Sequence, residues 1–176
     1  MAQSINLNPV SFITIGTIGS PGQRTFYLQA SQKRTVVSLV IEKEHAQALA
    51  MAVDELLEEL DKEYPRQEEI LDVDMGLLLP VEPQFRVGRL GLGYDEEEDR
   101  LIVAAQELIP EEEEGKTPSV ARFWATRAQM RALSRRAKEV VAAGRPLCIL
   151  CHRPLDPRGH FCPKRNGDRR AEHDYV

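Results

Sequence analysis

A chain of 176 residues, 42% hydrophobic and 29% charged, is long enough for one compact core, or for a core with a small appendage. No apolar run approaches the roughly 18 residues that a membrane helix needs, so membrane insertion is not expected. The opening MAQSINLNPVSF has no basic stretch leading into an apolar one, so the expected location is the cytoplasm.

In chain order, VSFITIGTI over 10–18 is rich in β-branched residues and reads as a strand ended by the turn residues SPGQ. RTFYLQA and RTVVSLVI read as two further strands, so the opening is a three-stranded meander. The period then changes. In EKEHAQALAMAVDELLEELDKEY, the positions Leu49, Ala52, Val53, Leu56 and Leu60 recur at helical spacing, and Pro65 ends the helix. His45, at its start, suits a capping or solvated role. After a polar connector, RQEEILDVD, and MGLLLPVEP, the order repeats: FRVGRLGLGYD and DRLIVAAQELI as strands, ARFWAT as a third, and RAQMRALSRRAKEVVAAG as a helix. In that helix Met130, Leu133, Ala137, Val140 and Val141 form one stripe, Gly144 is the expected C-cap and Pro146 the stop. The acidic EEEEGKTP over 111–118 reads as a solvated loop.

This pattern predicts an α+β fold. Two pseudo-repeated βββα units, over 10–64 and 85–143, form antiparallel sheets covered by two helices. Residues 1–144 make the α+β domain and 145–176 a separate basic tail. That tail holds seven basic groups between 145 and 170 against Asp156 and Asp168, so ten net negative charges fall on the remainder of a chain whose formal net charge is −5. A tail of this kind suits an anionic partner, docking on the protein's own acidic body, or plain solvation.

The tail also contains every cysteine, in CILCHRPLDPRGHFCPKRNG over 148–167. Three thiols cannot close a disulfide framework. Cys148 and Cys151 stand at the C-x-x-C interval that lets a tight turn aim two thiolates at one ion, and His160 and Cys162 follow a turn-rich RPLDPRG. Three sulfurs and an imidazole are the soft donor set of a closed tetrahedral zinc site, in which no position is left for water or substrate. His152 and His173 compete with His160 as the fourth ligand. Ordinary buried thiols would leave the spacing and the clustering unexplained, and a redox C-x-x-C would open a helix, whereas here an arginine and prolines follow.

Together, GSPGQRTFYLQA near the N-terminus and the C-x-x-C, PLDP-x-GH-x-C, basic-residue–NG pattern resemble a bacterial family of conserved hypothetical proteins, a domain of unknown function in actinobacteria and relatives. The resemblance spans nearly the whole chain, including Cys148, Cys151, Pro154, Pro157, Gly159, His160, Cys162 and Arg165–Gly167. It favours His160 as the fourth ligand and implies no established activity. It implies as a partner a phosphoinositide-kinase-like protein encoded nearby.

Other motifs point to structure. GSPGQRT lacks the lysine and spacing of a phosphate loop and reads as a hairpin turn. Gly88, Gly91 and Gly93 have the wrong order for a dinucleotide site and suit bulges or close packing. No catalytic set of side chains can be assembled, so an enzyme is not expected. Two functional readings follow. In the first, a non-enzymatic adaptor or regulatory protein docks a protein partner through the zinc-stapled tail, using Leu155 and Phe161 among arginines. In the second, the chain binds single-stranded nucleic acid, because strands-plus-helix units resemble in order the Whirly and PUR-type folds. Arg153, Arg158, Lys164, Arg165, Arg169 and Arg170 would then neutralise phosphates, against the repulsion of an acidic body.

Overall fold

A computed structural model describes residues 2–20, 22–67, 69–143, 148–151 and 162–163. Among the described residues, seven strands and two α-helices are formed, besides a single 3-10 turn at Glu111–Glu113: β1 (Ser4–Leu7), β2 (Phe12–Ile18), β3 (Thr25–Gln32), β4 (Thr35–Ile41), α1 (Lys43–Glu63), β5 (Pro83–Asp95), β6 (Arg100–Glu107), β7 (Val120–Ala125) and α2 (Arg127–Ala143). The strands join in one sheet of order β1-β7-β6-β5-β4-β3-β2. The fold is α+β.

The meander and the hairpin expected from the alternating patterns are present, but the pairing between them differs from two antiparallel sheets. β4 and β5 pair in parallel, and so do β1 and β7, which makes a single mixed sheet. Two stretches of chain change pairing partner along their course. β5 lies beside β4 through Phe85 and Arg86, bulges between Val87 and Arg89, and continues beside β6. β1, which the sequence did not reveal, does the same for β2: Val10 N–H donates to Trp124 O of β7 at 2.8 Å, and the next residue, Ser11, donates to Ser31 O of β3 at 2.7 Å. One N-terminal stretch therefore ties the first edge of the sheet to the last, which leaves little open edge for other chains to pair with.

One face of the sheet carries the core. Ile13, Ile15, Leu28, Ala30, Leu39, Val87, Leu101, Val103 and Phe123 are buried there together with Leu49, Val53, Leu57 and Leu60 of α1 and Met130, Leu133 and Val140 of α2. In α1, the buried position is Leu57 and Leu56 is only half-buried, so the stripe sits one residue from its expected place at that turn. The helices pack on each other, α1 along β5 and α2 along β2. Ala50 and Ser134 keep that contact close, with the Ser134 hydroxyl donating to Asp54 Oδ1 at 2.6 Å.

Each helix starts one residue after its strand, and each start is capped. Thr126 and Gln129 form a reciprocal box: Thr126 N–H donates to Gln129 Oε1 at 2.9 Å and Gln129 N–H to Thr126 Oγ1 at 3.1 Å. At α1, His45 Nδ1 accepts from Glu42 N–H at 3.0 Å, the capping role expected of that histidine. Residues 19–24 join β2 to β3, where Gly19 and Gly22 adopt φ of 114° and 87°. Arg24 donates to Val140 O at 2.7 Å and lies over the Phe26 ring, so it faces this protein's own helix end. The expected C-cap Gly144 and stop Pro146 lie outside the described residues.

Candidate metal centre

The sulfurs of Cys148, Cys151 and Cys162 all lie within 4.8 Å of one another. Cys148 and Cys162 are buried and Cys151 is half-buried, and none is in a disulfide. They form an apolar cluster of their own, apart from the main core. The Cys148 and Cys162 Sγ atoms are 3.8 Å apart. A disulfide would hold them at about 2.05 Å. Two thiolates about 2.3 Å from one tetrahedral ion stand about 3.8 Å apart, because the tetrahedral angle multiplies the bond length by about 1.6. Cys148 and Cys162 stand fourteen positions apart, so their approach is not set by local geometry, and Cys151 is brought in by the turn at 149–151.

Three cysteines placed like this could hold a metal ion. The fourth-ligand candidates His160, His152 and His173 lie outside the described residues, as do the tail cations Arg153, Arg158, Lys164, Arg165, Arg169 and Arg170. Of the exposed apolar side chains, Ile149 stands on the turn between the first two cysteines.

A second polar assembly was not legible in the sequence. Arg127, at the start of α2, is buried and joins three elements: Nε donates to Asp99 Oδ1 at 2.9 Å, and Nη1 donates to Tyr64 O at 2.8 Å and to Asp61 Oδ1 at 3.3 Å. Asp99, at φ 53° in the β5–β6 turn, also accepts from the Tyr94 hydroxyl at 2.6 Å and from Arg66 Nε at 2.9 Å. Burial alone would raise the Asp99 pKa, but the Tyr94 hydroxyl and the Arg127 and Arg66 guanidiniums outweigh it and hold the carboxyl below its usual range. A cleft of about 450 Å³ opens beside these groups, with Arg100 and Arg131 on its wall. Arg131 is itself bonded to Asp61 at 2.9 Å. Acids inside the assembly meet the charges of Arg66, Arg127 and Arg131, and no local pattern marks it because Asp61, Asp99 and Arg127 look like ordinary surface charges.

The fold and the thiol cluster describe an α+β protein with a candidate metal centre near its C-terminus. Residues 5–162 match the profile of a family described as "Protein of unknown function (DUF3090)", and the chain belongs to that family. No curated protein and no solved structure matches it. No helix among the described residues is long and apolar enough to cross a membrane.

Proposed function

We propose that this protein is a non-enzymatic adaptor or regulatory protein in which a structural zinc ion folds residues 145–176 into a basic appendage that docks a protein partner. Zinc is held by Cys148, Cys151, Cys162 and His160. The observation that carries the reading is the 3.8 Å separation of the Cys148 and Cys162 sulfurs with Cys151 beside them. Thiolates favour a soft ion, and four protein ligands leave no open position for catalysis. A segment this short has too little apolar surface for a core of its own, and apparent zinc free energies of about 10–16 kcal/mol suffice to fold small fingers.

In sequence the segment sets Arg153, Arg158, Lys164, Arg165, Arg169 and Arg170 among Leu155 and Phe161, a mixture of cationic and apolar side chains of the kind that anchors protein interfaces. Ile149, 74% exposed on the turn between Cys148 and Cys151, is a further apolar side chain open to a partner. Thiolate ligands also suit a reducing cytoplasm.

Metal analysis of the protein purified without chelators is expected to find one zinc per chain, and Cys162→Ser to remove it. Protein that carries no transition metal ends the reading. To separate the two partner classes, labelled single-stranded RNA is titrated at low and physiological salt. No binding is expected. Micromolar binding that weakens with salt and vanishes when the tail arginines are neutralised transfers the function to nucleic acid.

A further inference from the structure

The two halves of the sheet treat their outer faces, those turned away from the helices, differently. On the first half, Thr14, Gln29 and Ser38 form one row across β2, β3 and β4, and Gly16, Tyr27 and Val40 the next. An extended strap, residues 75–78, lies over them. Thr14 Oγ1 donates to Met75 O at 2.5 Å. Gln29 Nε2 donates to Leu78 O at 3.0 Å, and Gln29 Oε1 accepts from Leu78 N–H at 2.7 Å, so one side-chain amide satisfies both main-chain groups as a neighbouring strand would. Leu77 seats over Gly16, where a Cβ would come within 2.5 Å of its Cγ.

On the second half, the corresponding rows are Gly91, Ala104 and Arg122, then Gly93, Ile102 and Trp124. They correspond by place, because Val40 and Trp124 each stand two residues before the residue that joins strand to helix. Here no described segment lies over the glycines. A Cβ on Gly91 would meet nothing within 4 Å, and one on Gly93 would reach only Ile102, at 4.0 Å. Arg122 is exposed on this face, and so is Arg89 in the next row, opposite Gln106. Neither makes an ion pair among the described residues.

We propose that the outer face of β5, β6 and β7 binds an extended acidic peptide of a partner protein. A leucine-sized side chain sits over Gly91 and Gly93 beside Ile102, with Trp124 one strand further along the same row, and carboxylates meet Arg89 and Arg122. The strap supplies the precedent: a glycine hollow on this sheet takes a leucine from a peptide held by main-chain bonds. Charge selects the occupant. The protein's own tail, with a surplus of five positive charges over 145–170, has the sign of the two arginines. Single-stranded nucleic acid would meet Asp95, Glu96, Glu97 and Glu98, the turn that follows Gly93 at the only aromatic end of the trough. An extended peptide with carboxylates at one end and an apolar side chain at the other avoids both conflicts.

Trp124 is the only tryptophan of the chain, so its fluorescence reports this face directly. The full-length protein is titrated with an acetylated, amidated octapeptide of sequence EEEGLLGS, which has carboxylates at one end only. A saturable change is expected, with a midpoint on the order of 10–500 µM that rises with salt. Gly91→Leu, which has room to fold, and Arg122→Glu should each weaken binding about tenfold or more. KKKGLLGS should not bind, and Cys162→Ser should bind as the wild type does, which separates this face from the metal centre. The proposal is overturned by the absence of a saturable change up to about 2 mM, by unaltered affinity in Gly91→Leu, or by an oligo(dT) that saturates the same signal at lower concentration than the peptide.

Discussion

In the body, Phe123 and Leu133 are 0% and 1% exposed because strands and helices from distant parts of the chain close over them. Cys162 is buried just as fully at 1%, but within the described residues its apolar company is Cys148 and Cys151 alone. Burial in the body is the cause of its stability, since each side chain removed from water contributes about 1.5–3 kcal/mol and dozens act together. Burial at the thiols rests, among the described residues, on three small side chains that could hold a metal ion, and under the function proposed above it is the ion that keeps them together.

Two substitutions set that contrast at its widest. Phe123→Ala is expected to lower global stability by about 3–5 kcal/mol, read as an earlier cooperative transition in urea. Cys162→Ser, at an equally buried site, should leave the midpoint of the body's transition unchanged and abolish metal binding. Equal losses in the two variants would show that the thiol segment is part of the main core and would overturn the division at residue 144.

The body also contains a polar junction, and it should behave differently from both. Arg127 fastens the end of α1, the β5–β6 turn and the start of α2 through Tyr64 O, Asp61 and Asp99. Arg127→Ala leaves the Asp99 carboxylate, 12% exposed, with only Tyr94 and the solvent-facing Arg66. The expected loss is about 3 kcal/mol. The pH dependence has a definite sign. The folded-state pKa of Asp99 lies below its ordinary value of 3.8, so its contribution is present above that value and is lost as pH falls through the lowered one. Thermal stability should therefore decline below about pH 4, and Asp99→Asn should flatten the decline. An equal decline in Asp99→Asn would assign it to other carboxylates, Asp54 first, which is lowered too: burial raises it, and its bonds from Lys138 and Ser134 more than compensate.

How much of this was legible follows the same division. Strands such as VSFITIGTI and the Met130–Val141 stripe declared themselves, because alternation and 3.6-residue spacing are local consequences of which face meets the core. The thiols declared themselves by type and interval. What stayed hidden depends on partners far away in sequence. β1 is four residues, SINL, and becomes a strand because β7 lies beside it. The parallel pairing of β4 with β5 joins strands separated by α1 and the strap. Asp99 and Arg127 carry no local mark of burial. MGLLLP belongs to no helix or strand, and only Gly16 and Gln29, on other strands, make it a strap.

That strap offers the smallest and most local test. Gln29 is 0% exposed on the face opposite the core, and its side chain satisfies Leu78 N–H and C=O while also donating to Ser38 Oγ at 3.0 Å. Gln29→Ala removes three bonds but leaves the apolar packing of Ile13, Leu28 and Leu39 on the other face intact. The main-chain groups of Leu78 can turn to water once the strap lifts, so the cost is the surplus of these bonds over hydrated ones, about 1–2 kcal/mol. Hydrogen exchange should show it as faster exchange confined to residues 75–79, with the amides of β3 and β4 still protected. Gly16→Ala should produce the same local signature by a different route, since its methyl would occupy the place of Leu77. If either variant instead loosened the whole sheet, the strap would be a true third layer beside sheet and helices, and the open face of β5, β6 and β7 would lose its precedent as a place where an extended peptide can come and go.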